Sequence, residues 1–299
     1  MIWTAERNMD QGALVASTYE CAASVPCERR AIMLGGLRGA DTAGALAQAG
    51  IDASRYLTIS IDGILVRMAG RGLIPHVDGL TPLEVADLVH VEAQFLAKRL
   101  GLRALADGRN VIWDISMASQ RAVESWMAAQ RRAGYAIHGI FVELSIEESV
   151  RRSEALHRRG HDEYCRGRGF GGRFVPAGAI RALALTAASS PGGTQDAEAV
   201  SSLRVGITPG EPIPAGEVTA MIRSYLSGAL TLDVLCQQFR SRRWPAVPPA
   251  CPAGMGKAAP AIDDPEPYIP GSSDDVVRAY DLGWITDPDY EALAGAIVP

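Results

Sequence analysis

The sequence predicts an α/β domain built on a mostly parallel sheet with helices on both faces. Two observations carry this. Between Arg30 and Ile180, short apolar runs of strand length alternate with longer amphipathic stretches, the pattern of strands joined by crossover helices. The first run, Ala31-Ile32-Met33-Leu34, is wholly apolar, as a buried strand requires, and it leads directly into a glycine-rich stretch from Gly35 to Gly44.

The elements follow in order. Residues 1–29 show no sustained periodicity and read as an N-terminal arm, helical or loose. After the strand at 31–34, Tyr56 to Ile61 forms a second. Thr81-Pro82-Leu83-Glu84 reads as a helix start: Thr81 is a good N-cap, Pro82 fits the first turn and Glu84 completes a capping box. Val85, Leu88, Val89, Phe95, Leu96 and Leu100 then recur near helical spacing. Asn110 to Trp113 is a third strand, closed by Asp114; Ser119 to Arg132 is a helix stopped before Gly134. Tyr135 to Leu144 is a fourth strand and Ile146 to Arg158 another helix.

Composition changes after Leu185. The chain divides into the arm, a main domain over 30–185, a linker over 186–215, a helical hairpin over 216–244, a proline-rich linker over 245–271 and a second hairpin over 272–299. The hairpins are an internal repeat: Ile222-Arg223-Ser224-Tyr225-Leu226-Ser227-Gly228-Ala229-Leu230-Thr231 matches Val277-Arg278-Ala279-Tyr280-Asp281-Leu282-Gly283-Trp284-Ile285-Thr286. In each copy a glycine ends one helix and a threonine caps the next. Neither hairpin can bury much alone. Their apolar stripes, Leu230, Leu235 and Phe239 in one and Trp284, Ile285, Tyr290 and Leu293 in the other, are expected to pack on each other, back on the main domain or on a protein partner.

Bulk properties narrow the function classes. The chain has 299 residues, 47% of them hydrophobic, and a net charge of −5, which argues against nucleic acid or an anionic membrane as partner. The first residues carry Glu6, Arg7 and Asp10 and no apolar run, so no signal peptide is expected, and no apolar stretch reaches membrane-spanning length. A cytoplasmic location is expected. Cys21, Cys27, Cys165, Cys236 and Cys251 are an odd set without C-x-x-C spacing, and read as reduced thiols. His157 and His161 stand four apart, but no third metal ligand is evident beside them.

Several ordered blocks resemble the zeta toxin family. They are Gly50-Ile51-Asp52, Ser54-Arg55-Tyr56-Leu57-Thr58-Ile59, Gly72-Leu73-Ile74-Pro75, Asn110-Val111-Ile112-Trp113-Asp114-Ile115-Ser116, Arg158-Arg159-Gly160-His161-Asp162-Glu163-Tyr164 and Gly167-Arg168-Gly169-Phe170-Gly171-Gly172-Arg173-Phe174-Val175-Pro176. The resemblance implies a P-loop kinase fold that binds ATP and magnesium and phosphorylates the sugar of a UDP-linked amino sugar. A working P-loop reads G-x-x-x-x-G-K-[ST]: backbone N–H groups cradle phosphates, the lysine neutralises them and the hydroxyl binds magnesium. Here the stretch is Gly35-Gly36-Leu37-Arg38-Gly39-Ala40-Asp41-Thr42-Ala43. Without gaps, Asp41 stands at the last glycine, Thr42 at the lysine and Ala43 at the hydroxyl. A shift of one restores the hydroxyl as Thr42, a magnesium candidate, but puts Asp41 at the lysine. Gly35, Gly36, Arg38, Gly39 and Thr42 are the residues left to hold the nucleotide, and the alternative is a glycine-rich turn that binds nothing.

By the same resemblance Asp62 is the general base, with Gly63 where the family has a second acidic residue. As a residue type it could equally be a helix N-cap after Ile61. Asp114 and Ser116 match a family motif that contacts substrate and metal, and Glu92 is a further candidate to face the sugar. Arg158, Arg159, Arg166, Arg168 and Arg173 lie among glycines; the resemblance makes them a basic lid in which Arg158 and Arg173 supply transition-state charge, against a solvated basic loop. Active relatives continue into another helix and a closing strand. No such segment is legible after Ile180, so a shortened domain is expected. Three functions remain in view: a pseudokinase disabled by its P-loop, an active kinase or toxin with an unusual P-loop, and an adaptor working through its C-terminal hairpins.

Overall fold

Thr4 accepts a hydrogen bond from the Arg7 N–H and so starts α1 (Ala5–Cys21). In a computed structural model, which describes residues 3–117, 120–187, 200–205, 216–245, 265 and 267–297, this helix is no loose arm. Leu14, Val15 and Tyr19 are buried in the main core. The chain continues through β1 (Arg30–Gly36), α2 (Thr42–Gln48), β2 (Leu57–Ser60), α3 (Ile61–Gly70), α4 (His90–Asp107), β3 (Val111–Ile115), α5 (Gln120–Arg132), β4 (Ala136–Val142), α6 (Ile146–Cys165), α7 (Ala177–Ala187) and β5 (Val200–Val205). The sheet order is β2-β3-β1-β4-β5. The first four strands are parallel, and β5 runs antiparallel to β4 at the edge. This is the expected α/β class. Leu34 and Ser60 both pair with Asp114, so β1, β2 and β3 end level, on the edge where parallel sheets bind ligands.

The sheet buries apolar residues on both faces. One face carries Met33, Ile59 and Trp113 against α3, α4 and α5; the other carries Ile32, Leu34 and Ile140 against Ala45 and Leu46 of α2. Trp113 packs against Trp126 in a tilted pair, with ring centroids 4.3 Å apart. α4 can lie that close only because residue 101 is glycine: a Cβ there would stand 2.1 Å from the Trp113 ring.

Three boundaries differ from the sequence expectation. The Thr81 N–H does donate to Glu84 Oε2 at 2.7 Å, but the α-helix starts only at His90, after a 3-10 turn over Ala86–Val89. The Leu83 N–H donates to Phe170 O at 3.0 Å, a long-range bond that ties this stretch to the crossing 170s. α6 runs seven residues past Arg158. The interval expected to be linker contains β5, so with α7 the helix and closing strand that looked missing are present. Val-Ser-Ser-Leu-Arg-Val is too polar to announce a strand; pairing with β4 supplies its order. The expected linker at 189–194 and most of the proline-rich one, 246–264, lie outside the described residues.

The repeats fold as α8 (Glu217–Leu226), α9 (Leu232–Ser241), α10 (Asp274–Asp281) and α11 (Asp287–Ala296). Gly228 and Gly283 have φ of 76° and 68°, in the left-handed region favoured by glycine, and Thr231 and Thr286 cap the helices that follow. The two hairpins share one core in which Leu235, Phe239, Ile285 and Leu293 are buried and Trp284 and Tyr290 pack at the margin. Apart from Leu230, which is not part of this core, the predicted stripes pack between the two hairpins. α10 packs on α4, with ion pairs from Lys98 to Asp274 at 2.9 Å and from Arg99 to Asp281. Among the described residues no helix is long and apolar enough to cross a membrane.

Candidate functional site

At the common end of β1, β2 and β3 the structure forms a cleft of about 220 Å³. Gly36, Arg38, Gly39, Thr42, Asp62, Asp114 and Ser116 line it, all residues singled out from sequence. Its other wall, which the sequence did not reveal, is apolar: Leu156 of α6, Val175, and Ala179, Ile180 and Leu183 of α7. Gly35 lies off the cleft, closed by Met117, whose Sδ would be 2.5 Å from a Cβ at position 35.

The loop after β1 is held from outside. Gly39 takes φ +84°, and a Cβ there would meet the Arg152 Cβ at 2.7 Å. Arg152 Nη1 donates to Gly39 O at 3.1 Å, and Ser149 Oγ donates to Arg38 O at 2.8 Å. α6 thus fixes the loop's shape. Asp41 caps α2, with its carboxylate accepting the Gly44 N–H at 2.8 Å. Those first N–H groups of the helix are what a phosphate uses in a working P-loop. Here a carboxylate of the chain takes one of them.

Asp62 is in the first turn of α3, whose N-cap is Ser60, accepting from the Gly63 N–H at 3.1 Å. The capping alternative for Asp62 is thereby excluded. Its carboxylate instead bridges two arginines: Arg38 Nη1 donates to Oδ2 at 2.6 Å and Arg173 Nη1 to Oδ1 at 2.9 Å. Desolvation pushes the carboxyl up, but the guanidiniums of Arg38 and Arg173 outweigh it and hold the group below the usual aspartate range. A carboxylate so held is a poor proton acceptor.

Arg173 does not ride on a flexible lid. It is 4% exposed and its Nη2 lies 3.2 Å from His90 Nδ1 and 3.5 Å from Asp87 Oδ1. The strap that carries it is threaded against α6. Gly172 O bonds His157 Nδ1 at 2.9 Å, and Glu84 Oε1 stands 3.2 Å from His161 Nδ1 and 3.6 Å from His157 Nε2. Glu84 is thus the nearest acidic neighbour of the two histidines, although no group of three such residues, among those described, is arranged to hold a metal. Burial raises the Glu84 carboxyl and the Thr81 and His161 hydrogen bonds lower it further, leaving it below its ordinary value.

Besides Gly35, two sequence candidates stand away from both the cleft and the clamp on Asp62. Arg158 is exposed on α6 and pairs with Glu154; α6 continues through it, and its side chain projects to solvent. Glu92 is buried by α1: Arg7 grips it through Nε at 2.7 Å and Nη2 at 2.8 Å, and Gln11 Nε2 donates at 2.7 Å. It anchors the N-terminal helix, and both its oxygens are engaged by residues of α1.

The Asp62 bridge sets a pH dependence. A depressed carboxyl contributes stability that is fully present above the unfolded value of about 4 and is lost as pH falls through the lower folded value. Asp62→Asn should therefore melt below the unaltered chain at neutral pH, and the gap should narrow below about pH 4. A gap constant from pH 7 to pH 3 in thermal melts would contradict the bridge.

The residues present do not fit magnesium–ATP held in the P-loop manner. The loop has no lysine, its arginine faces Asp62 rather than the helix, and Asp41 occupies an N–H of the phosphate cradle. The scaffold is nonetheless that of a kinase-like α/β domain. No curated protein matches the chain. The family model for Zeta toxin matches residues 31–203, from the first residues of β1 into the closing strand β5, and covers more than half of the sequence: the chain belongs to the zeta toxin family.

Proposed function

We propose that this kinase-like domain is a pseudokinase, one that keeps the cleft of its family without transferring phosphate. The observation that carries this is the Asp41 carboxylate on the Gly44 N–H. A carboxylate there repels the phosphate that the helix would otherwise attract. At ~5 Å and an effective dielectric of ~20, one unit charge is worth roughly 3 kcal/mol. Losing the lysine and gaining the aspartate together disfavour bound phosphates by on the order of 5 kcal/mol, several thousandfold. The clamp on Asp62 acts in the same direction, because the residue at the base position is already neutralised.

The family's chemistry supplies the test. The full chain is incubated with ATP, magnesium and a UDP-linked amino sugar, and phosphosugar is followed by phosphorus NMR. The expected result is no product above the enzyme-free control. Turnover that disappears in Asp62→Asn would overturn the proposal, since it would show base-assisted transfer without a P-loop cation.

A further inference from the structure

The strap that carries Arg173, residues 166–176, is wedged between two elements. On one side it crosses α6 backbone to backbone: a Cβ on Gly160 would stand 2.6 Å from Gly172 Cα. On the other it meets the stretch after α3. Gly171 takes φ +97°, and a Cβ there would lie 2.0 Å from Thr81 Oγ1; the Leu83 N–H to Phe170 O bond spans the same contact. His157 and His161 of α6 and Glu84 of that stretch tie the two sides together. Gly172 O can only accept, so His157 Nδ1, 2.9 Å away, carries a proton and donates to it. In the neutral ring Nε2 is then an acceptor, and it faces Glu84 Oε1 at 3.6 Å. Two acceptors oppose each other there. A second proton on the ring replaces that opposition with a charged N–H aimed at a carboxylate. His161 needs no such change, because its Nδ1 can donate to the same oxygen at 3.2 Å while the ring is neutral.

We propose that His157 is a proton-operated latch on the strap. Charged, it holds Gly172 with one nitrogen and Glu84 with the other, so that strap, α6 and the Thr81–Leu83 stretch are braced through one ring. Neutral, it keeps only the Gly172 bond. The element that carries Arg173 is therefore tightened by acid and loosened as pH rises through the range in which histidine loses its charge. The latch goes beyond the pseudokinase proposal and operates whether or not phosphate is transferred. Glu84 stays a carboxylate throughout that range: burial pushes its carboxyl up, but the Thr81 and His161 bonds bring it below the ordinary value. Among the described residues it is the one carboxylate within ion-pair distance of either ring. On α6, Glu154 pairs with Arg158, and Asp162, next to His161, is exposed. The strap offers His157 the Phe174 ring, edge on at 5.4 Å, while its Arg173 is turned to Asp62 and Asp87. His90 touches Arg173 and acts in the opposite sense, because a charged imidazole there repels the guanidinium.

Amide hydrogen exchange of the full chain, resolved by NMR between about pH 7.5 and about pH 5.5, tests the latch. The Leu83 N–H reports on it, since its exchange requires parting the strap from the stretch it bonds. The Leu57 N–H, bonded to Asn110 O where β2 begins, is the internal reference. His157 is 23% exposed and Glu84 11%, so solvent screens the pair in part. Corrected for the intrinsic rate, protection of Leu83 relative to Leu57 should rise about threefold or more as pH falls across this interval. The rise should vanish in His157→Gln and in Glu84→Gln, which keeps an acceptor for the Thr81 N–H but no charge. It should survive in His161→Gln. A flat or falling ratio in the unaltered chain overturns the latch, and that measurement needs no variant to fold. A rise that persists in His157→Gln or Glu84→Gln, or one that is lost in His161→Gln, also overturns it.

Discussion

Asp281→Ala should destabilise the chain by about 3–5 kcal/mol, the range for removing one member of a buried ion pair. Arg99 is 3% exposed and Asp281 4%, and the carboxylate takes the Arg99 Nε through both oxygens at 3.0 Å. Burial lowers the Arg99 pKa, but the Asp281 carboxylate raises it further, so the guanidinium is held more firmly charged than in water. Alanine at 281 leaves that charge buried with its main counter-ion gone. The pair also joins two parts of the molecule, since Arg99 is on α4 and Asp281 ends α10. Tyr280 adds its ring beside the guanidinium, 5.7 Å from centroid to Cζ. Replacing both partners, Arg99→Met with Asp281→Leu, should cost much less than either single change, because no unpaired charge remains. Urea denaturation of the three variants measures this. A loss under about 1 kcal/mol for Asp281→Ala, the level of an exposed pair, would show that the hairpins do not dock on α4.

Restoring the P-loop is the other large expected effect. Asp41→Gly, Thr42→Lys and Ala43→Ser together should tighten ATP binding by on the order of a hundredfold or more, from roughly 3 kcal/mol per corrected charge. The gain is partly offset, because Asp41 also caps α2, and losing such a cap costs about 1 kcal/mol. Asp41→Asn separates the two effects. Asparagine caps nearly as well but carries no charge, so it should recover part of the affinity without loss of melting temperature. Fluorescence titration with ATP reads both variants. If the triple variant binds ATP no better than the unaltered chain, the loop is not what limits the site, and the Arg38–Asp62–Arg173 bridge becomes the dominant obstacle.

The strands and most helices of the main domain could be read from sequence because their signals are local. An apolar run such as Ala31–Leu34 and a helical spacing such as Phe95, Leu96 and Leu100 reflect the burial of each segment, whatever its neighbours. The closing strand was not readable for the opposite reason, since β5 owes its order to the hydrogen bonds it makes with β4. The helix start at Thr81 was half right. Its capping contact exists, yet the backbone bond from Leu83 to Phe170 belongs to a crossing that only the folded chain contains.

The site divides in the same way. That the P-loop lacks its lysine and carries Asp41 is a matter of residue identity, and the sequence by itself determined it, together with the α/β class, the family and the paired hairpins. What those residues do was decided by tertiary structure. Arg38 and Asp62 are 24 positions apart, Arg173 is 111 beyond Asp62, and Arg7 reaches Glu92 across 85. Side-chain charges find partners in space, and no periodicity records which. Of two arginines in one glycine-rich cluster, Arg158 therefore ended in solvent and Arg173 in the buried clamp on Asp62, a distinction that depends on where the strap crosses α6 and not on the residues beside it.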